Sequence, residues 1–392
     1  MNYSKADIYN SLADEQKLII ILCKLNPGTG GLSFVESAQL NSLDWSYILN
    51  FAAINGISSL IYSNITKHGN GHFSDTVINS LKAASLENSK KNLFLTSVLL
   101  EIIKELNELG IEAVPYKGPV LSKLLYDDIT VREFLDLDII VHKKHIKRVK
   151  EYLISKNYKS QFDLTDREQN YYLNSKYYYI NFTRNDSRAA IDLHWALSAP
   201  NYSFSKPLDY FCANLDKIEI DNTSIAVLKT EDLFLQLCIH GAKHNFSRFN
   251  WITDLVNLSE ANTGMDYDYL SGEARRLGCV NILNYTGSLI NSLFNLSLPL
   301  KNCKQFTQNG CLIAEKIFNS NSRGLSDTSL FPHIFDSRRD RLRFYINNYV
   351  YPTPIEFSII KLNGSLFFLY YLIRVIRMFF RGFKSLVNPG VH

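Results

Sequence analysis

The chain has 392 residues and a formal net charge of +4, with 42 Lys and Arg against 38 Asp and Glu. Its 46% hydrophobic and 20% charged residues exclude a mainly disordered chain, and the length suggests two or three domains. So small a net charge gives no general affinity for nucleic acid, and no specific nucleic acid is expected as a partner.

Residues up to 110 read as helical. The segment Glu15 to Leu25 ends at the breaker Asn26 to Ser33. A capped helix follows over Asp44 to Ala53. Val77 to Leu109 carries leucine, isoleucine and valine near 3.6-residue spacing, and Gly110 stands where a helix-ending glycine belongs. The pattern then changes. Ile111 to Lys117 is a short strand, Gly118 opens a helix with Pro119 at its first position, and Leu135 to Val141 is a second strand. A basic helix spans His145 to Lys156. Tyr177 to Thr183 and Ala189 to Ala196 form a hairpin turned at Asn185 to Ser187. Lys217 to Ile220 and Ser224 to Val227 form another, turned at Asp221-Asn222. From Thr230 the chain is mainly helical. The division is an N-terminal helical region over 1–110, a small mixed sheet over 111–228 and a C-terminal helical domain over 229–392. That is an α+β arrangement.

The second strand carries Leu135-Asp-Leu-Asp-Ile-Ile-Val141. Alternate strand residues share a face, so Asp136 and Asp138 point one way and Leu135, Leu137 and Ile139 the other. Adjacent carboxylates repel unless a cation lies between them, and hard oxygen ligands suit magnesium or manganese. Asp192 on the later hairpin offers a third carboxylate, and such sets hold the metals of phosphoryl and nucleotidyl transfer. Lys117 and Gly118 sit at a strand-to-helix junction, where glycine admits a phosphate and the helix start offers free N–H groups. Arg132, four residues before Asp136, is placed to grip a phosphate.

The chain resembles the bacterial uncharacterised nucleotidyltransferase family, distant kin of aminoglycoside nucleotidyltransferases with a polymerase beta-like core. The matching residues are Tyr116-Lys-Gly-Pro-Val-Leu-Ser-Lys-Leu-Leu-Tyr126, Val131-Arg-Glu-Phe-Leu-Asp-Leu-Asp-Ile-Ile-Val141 and Ile191-Asp-Leu-His-Trp-Ala-Leu197. Thr230 to His244 and Trp251 to Leu255 match as well. The resemblance implies metal-binding roles for Asp136, Asp138 and Asp192. It puts Lys117-Gly118 where more typical members of the fold carry glycine-serine against the triphosphate. The implied substrate is a nucleoside triphosphate, and the acceptor is an unidentified small molecule or protein.

Other residues have two readings each. His240 and His244 share a helix face, either lining a cleft or pairing at a helix interface. HGAKH lacks the glutamate of a zinc-protease HExxH. Asp254 either orients one of these histidines or solvates a helix. His194 shares a strand face with Asp192, and either lines the site or satisfies the core. His142 and His145 read as part of a solvated basic helix. Gly28, Gly30 and Gly31 read as a turn, lacking the GK[ST] of a P-loop. The Tyr171-Tyr172 and Tyr177 to Tyr179 clusters read as strand and core aromatics.

Six cysteines, at 23, 212, 238, 279, 303 and 311, form no CxxC pair, so the common zinc-ribbon spacings are absent. They read as buried apolar residues of a reducing compartment. The first fifteen residues lack a signal-peptide apolar core, and no uncharged apolar run reaches the ~18 residues of a membrane span. A cytoplasmic protein is expected. Residues 338–384 hold nine Lys or Arg and two Asp or Glu, a local +7, leaving −3 on the rest. Arg374, Arg377, Arg381 and Lys384 fall on one helical face, lying in water, facing a phosphate-bearing substrate, or resting at the inner membrane surface as a peripheral contact through 362–384. The competing class is a non-catalytic scaffold that docks through this basic helix.

Overall fold

The computed structural model describes residues 7–28, 40–68, 71–300, 317–318, 331–362 and 364–387, with Gly31, Ser33 and Val35. Gly30, Cys303, Cys311 and the side chains of Arg381 and Lys384 lie outside the described residues.

The N-terminal helices are α1 (Asp7–Ser11), α2 (Asp14–Cys23), α3 (Trp45–Asn55), α4 (Ser58–His68) and the long α5 (Asp75–Glu108). Asp44 caps α3 by accepting from the Tyr47 N–H at 2.9 Å. Only one stripe of α5 is buried. Leu95, Leu99, Ile103 and Leu106 lie in the core, whereas Leu86 and Leu93 are exposed. Its buried Asn88 and Asn92 donate to the carbonyls of Thr130, Ile129 and Arg132, tying down the loop before the carboxylate strand. Gly110 follows α5 with φ +68°, the left-handed turn that glycine favours.

The mixed sheet contains β1 (Ala113–Pro115), β2 (Leu137–Val141), β3 (Tyr158–Ser160), β4 (Tyr179–Arg184) and β5 (Ala190–His194), in the order β1-β2-β5-β4-β3. β2 and β5 run parallel, and the other neighbours are antiparallel. The connecting helices are α6 (Gly118–Tyr126), α7 (Ile146–Ser155) and α8 (Asp166–Asn174). The strand β3 and helix α8 have no counterpart in the sequence reading. Tyr171 and Tyr172 lie on α8 rather than on a strand, and the helix is announced by a capping box of Thr165 and Glu168. β6 (Leu215–Ile220) and β7 (Thr223–Leu228) form a separate hairpin, with Asp221 and Asn222 at positive φ as a tight two-residue turn requires.

The C-terminal helices are α9 (Thr230–Lys243), α10 (Phe249–Ala261), α11 (Tyr267–Leu277), α12 (Val280–Phe294), α13 (Arg338–Tyr349), α14 (Pro354–Ile359) and α15 (Leu369–Val387). They do not form a core of their own. Buried residues of α2, α3 and α4 join those of α9 to α12 in one cluster, which also takes in Tyr116, Leu121 and Leu125. The sheet, α7 and the second half of α5 form another cluster. Polar bonds cross the first cluster. The Phe249 N–H at the start of α10 donates to Asn55 Oδ1 at 2.9 Å, and Asn257 Nδ2 donates to the Cys23 carbonyl at 3.0 Å.

Two cations of the α15 stripe, Arg374 and Arg377, are not where the sequence reading puts them. Arg374 is buried, with Nη1 3.5 Å from Glu356, and Arg377 Nε donates to the same carboxylate at 2.5 Å. Glu356 is fully buried, and burying a carboxylate without a cation would be far costlier than turning these arginines inward. Among the described side chains of α15, the apolar Leu372, Val375, Ile376 and Phe379 are exposed. No helix among the described residues is long and apolar enough to cross a membrane.

Candidate active site

The ladder between β2 and β5 sets the site. Their parallel register pairs Asp138 with Asp192, so the two carboxylates stand side by side on one face. Asp136 lies just before β2 begins, at the entrance. Leu135 is also outside the strand and is exposed at the rim, not packed with Leu137 and Ile139. These carboxylates, with Lys117, Gly118, His240, His244 and Trp251, line a cleft of about 370 Å³.

Three ligand atoms, from Asp138, Asp192 and His194, lie within 4.8 Å of one another. Asp136 is not in that set. It shares the cleft and feels the other two. Burial, then the neighbouring Asp138 and Asp192 charges, push its carboxyl up to about 6. Asp138 goes the other way. Burial works against its charge, but the Lys117 ammonium and the His194 hydrogen bond hold it well below the usual range. Lys117 Nζ donates to Asp138 Oδ1 at 3.3 Å, His194 Nε2 lies 3.2 Å from the same oxygen, and the Tyr116 hydroxyl donates to it at 3.3 Å. Burial and the Asp138 charge keep that phenol protonated. Asn181 on β4 donates to Asp192 Oδ1 at 2.8 Å and fixes its direction.

Gly118 begins α6 at φ +56°. A Cβ there would make only ordinary contacts, the nearest 3.6 Å from the Asp136 carbonyl, so the backbone angle rather than space selects glycine. The turn delivers Lys117 and the start of α6 to the carboxylates.

Two expected roles are corrected. Arg132 and Asp254 form a buried, bidentate ion pair, with Nε 3.0 Å from Oδ1 and an Nη 2.9 Å from Oδ2. Arg132 reaches the cleft wall with its charge already matched, so it is not a free phosphate grip. Asp254 faces Arg132 and not the histidines. The physical reason is burial: neither charge is tolerated there without the other.

His240 and His244 do face the cleft. Both rings pack against Trp251, at centroid distances of 5.0 and 5.4 Å, and His240 Nδ1 lies 3.4 Å from Lys117 Nζ. Burial and then Lys117 hold His240 well below the ordinary imidazole range. Burial and then Lys243 bring His244 to about 3. Both are neutral at pH 7. His194 is buried between the site and the core, its ring 5.4 Å from Tyr116 and 5.2 Å from Tyr179, and its Nδ1 has no hydrogen-bond partner among the described residues. Sequence reasoning missed Tyr116, Asn181 and Trp251. Tyr116 neighbours Lys117, but only the β4–β5 register brings Asn181 to Asp192. It also missed the N-terminal wall, where Ala53, Gly56 and Asn88 line the cleft.

A mixed sheet with paired carboxylates on neighbouring parallel strands, beside a lysine-glycine helix start and between helical flanks, has the layout of a nucleotidyltransferase core. The profile of the family described as uncharacterised nucleotidyltransferase matches residues 41–295, and the chain belongs to that family. The shared activity is nucleotidyl transfer in its generic sense. No curated protein matches the chain.

Proposed function

We propose that the protein is a magnesium- or manganese-dependent enzyme that moves a nucleoside monophosphate from a nucleoside triphosphate to a hydroxyl group of a small molecule or a protein. One observation supports this reading above the rest: Asp138 and Asp192 are register partners in a cleft that also holds Lys117 and the start of α6. In the reaction the acceptor oxygen bonds to the α-phosphorus and the bond to pyrophosphate breaks. The donor set fits a divalent cation, because three carboxylates, Asp136, Asp138 and Asp192, line one cleft in which Lys117 pairs with Asp138. Asp138 and Asp192 would hold the metal, with Asp136 at the entrance. When bound, it supplies neutralisation of charge on the triphosphate.

The chain's own residues do the rest. Asp192 orients the acceptor hydroxyl and takes its proton. Lys117 exchanges its contact with Asp138 for phosphate oxygens, helped by the N–H groups at the start of α6. Tyr116 and His194 keep Asp138 in place. Neutral His240 and His244 offer uncharged hydrogen-bonding groups to the acceptor side, next to Trp251. In this reading 1–110 is a helical wall, 111–228 the catalytic core and 229–392 the acceptor-side helical domain.

Thermal shift with each ribonucleoside triphosphate, with and without magnesium, should show metal-dependent binding of at least one. Pyrophosphate release should then fall by about 10²–10³-fold in Asp138→Asn and Asp192→Asn. Absence of metal-dependent nucleotide binding by the wild type would sink the reading. Intact-mass analysis separates a protein acceptor from a small one.

Against the scaffold alternative, two of the four cations of its docking face, Arg374 and Arg377, are engaged by Glu356. Peripheral membrane contact through 362–384, and with it a place at the inner membrane surface of a cytoplasmic protein, would fall to the apolar side of α15. Flotation with anionic vesicles that is unchanged by Phe379→Ser and Leu372→Ser together would rule that contact out.

A further inference from the structure

At the far end of β2, four residues beyond Asp138 and so about 13 Å away along the strand, a second group of ligand-type side chains converges. Glu112 precedes β1 and His142 follows β2. Because Ala113 pairs with Val141, the antiparallel register sets Glu112 opposite His142. Cys212 arrives from the short 3-10 turn Cys212–Asn214 that leads into β6. His142 Nε2 lies 3.4 Å from Glu112 Oε2, Cys212 Sγ lies 3.3 Å from that oxygen, and the sulfur and Nε2 are 3.6 Å apart.

We propose that Glu112, His142 and Cys212 form a binding site for a zinc-class divalent ion, with a water as fourth ligand. The triangle has the right size. Zinc bonds of about 2.3 Å to sulfur and about 2.0–2.1 Å to nitrogen and oxygen, at tetrahedral angles, separate the ligand atoms by about 3.3–3.6 Å. The far side of the imidazole is prepared as well. His142 Nδ1 lies 2.8 Å from Asp209 Oδ1, the carboxylate–histidine arrangement that fixes which nitrogen keeps its proton. With that proton on Nδ1, Nε2 turns a bare lone pair toward a carboxylate oxygen and a sulfur. The single thiol proton cannot satisfy both the Glu112 oxygen and Nε2, and the sulfur has a further acceptor, the Leu208 carbonyl, at 3.3 Å. A divalent ion would engage the oxygen, the nitrogen and the sulfur at once. The thiol proton leaves to solvent, and thiolate, carboxylate and neutral imidazole together balance the ion's charge. Glu112 is exposed, which leaves the fourth position to water. The ion would clamp the β1–β2 end of the sheet to the turn that launches the β6–β7 hairpin. Zinc-ribbon spacing is irrelevant here, because the ligands come from three separate parts of the chain.

Cobalt substitution reads this site without interference from the carboxylate cleft, whose ligands include no sulfur. The full chain, stripped with a chelator, is titrated with Co²⁺. The expected result is one equivalent giving a near-ultraviolet sulfur-to-cobalt charge-transfer band and visible bands of tetrahedral intensity, all displaced by Zn²⁺. Cys212→Ser and His142→Ala lose the charge-transfer band or its one-equivalent stoichiometry, and Asp138→Asn keeps both. Glu112→Gln alters only an exposed side chain and weakens binding without unfolding. Asp209→Asn keeps the bands with about 10–100-fold weaker affinity. A wild type with no sulfur band, or a band that survives Cys212→Ser, overturns the proposal. So does cobalt affinity unchanged in folded Glu112→Gln.

Discussion

Arg132 and Asp254 are the residues whose burial most constrains the site wall. Their side chains are 7% and 3% exposed, so removing one leaves the other charged and stranded. Arg132→Met should therefore lower stability by roughly 3–5 kcal/mol in urea titration, and Arg132→Met with Asp254→Met should recover much of that loss. Equal loss in the single and double variants would show that the pair does not carry the effect. His244 makes a second residue-scale test. Burial, then Lys243, bring its folded-state value to about 3, below the ordinary imidazole value of 6.5, so the unfolded chain binds a proton that the folded chain refuses between those limits. Its contribution is complete above 6.5 and is lost as pH falls toward 3. The slope is at most ~1.4 kcal/mol per pH unit for one proton. Denaturant midpoints from pH 7 to 4 should fall less steeply in His244→Gln than in the wild type.

At the scale of elements, the site depends on one turn and one register. Gly118→Ala forces a residue with a Cβ to φ +56°, at a cost of about 1–2 kcal/mol. The added methyl meets nothing closer than 3.6 Å, so the protein should fold with a lowered Tm. Because the turn aims Lys117 at Asp138, nucleotide affinity should fall along with it. A variant with unchanged triphosphate affinity would detach this turn from phosphate binding. The strand that carries Asp138 was legible because a run of apolar residues interrupted by alternate carboxylates has few other homes. The helix start at Gly118-Pro119 was legible for a similarly local reason. Strand β3 and helix α8 were not. β3 is three residues long, and α8 buries Tyr172 with the polar Glu168 and Gln169, a pattern without the apolar periodicity that marks helices. The basic stripe of α15 misled for the opposite reason. Its spacing gave no sign that a buried Glu356 draws Arg374 and Arg377 inward.

Across the whole molecule, the buried clusters cut through the order of the chain. Helices α2 to α4 share one core with α9 to α12, while the second half of α5 belongs to the sheet. Neither helical region can bury its apolar surface without the other, and Asn55 and Asn257 bond across their boundary. Calorimetry should accordingly show one cooperative transition, with calorimetric and van't Hoff enthalpies in agreement. A fragment lacking 1–110 should expose the α9–α12 surface and fail to fold. Two resolved transitions, or a stable 111–392 fragment, would contradict this.

The sequence by itself determined the α+β class, the carboxylate strand, the glycine turn before it and the histidine face of α9. These follow from short-range periodicity and backbone preference, which a few neighbouring residues specify. Only the tertiary structure decided that Asp192 stands beside Asp138, that Arg132 belongs to Asp254, and that Glu112, His142 and Cys212 meet. Those outcomes depend on strand pairing between residues well separated in the chain, 54 apart for Asp138 and Asp192 and 30 for Glu112 and His142, and on the cost of burying a charge alone, which no local pattern records.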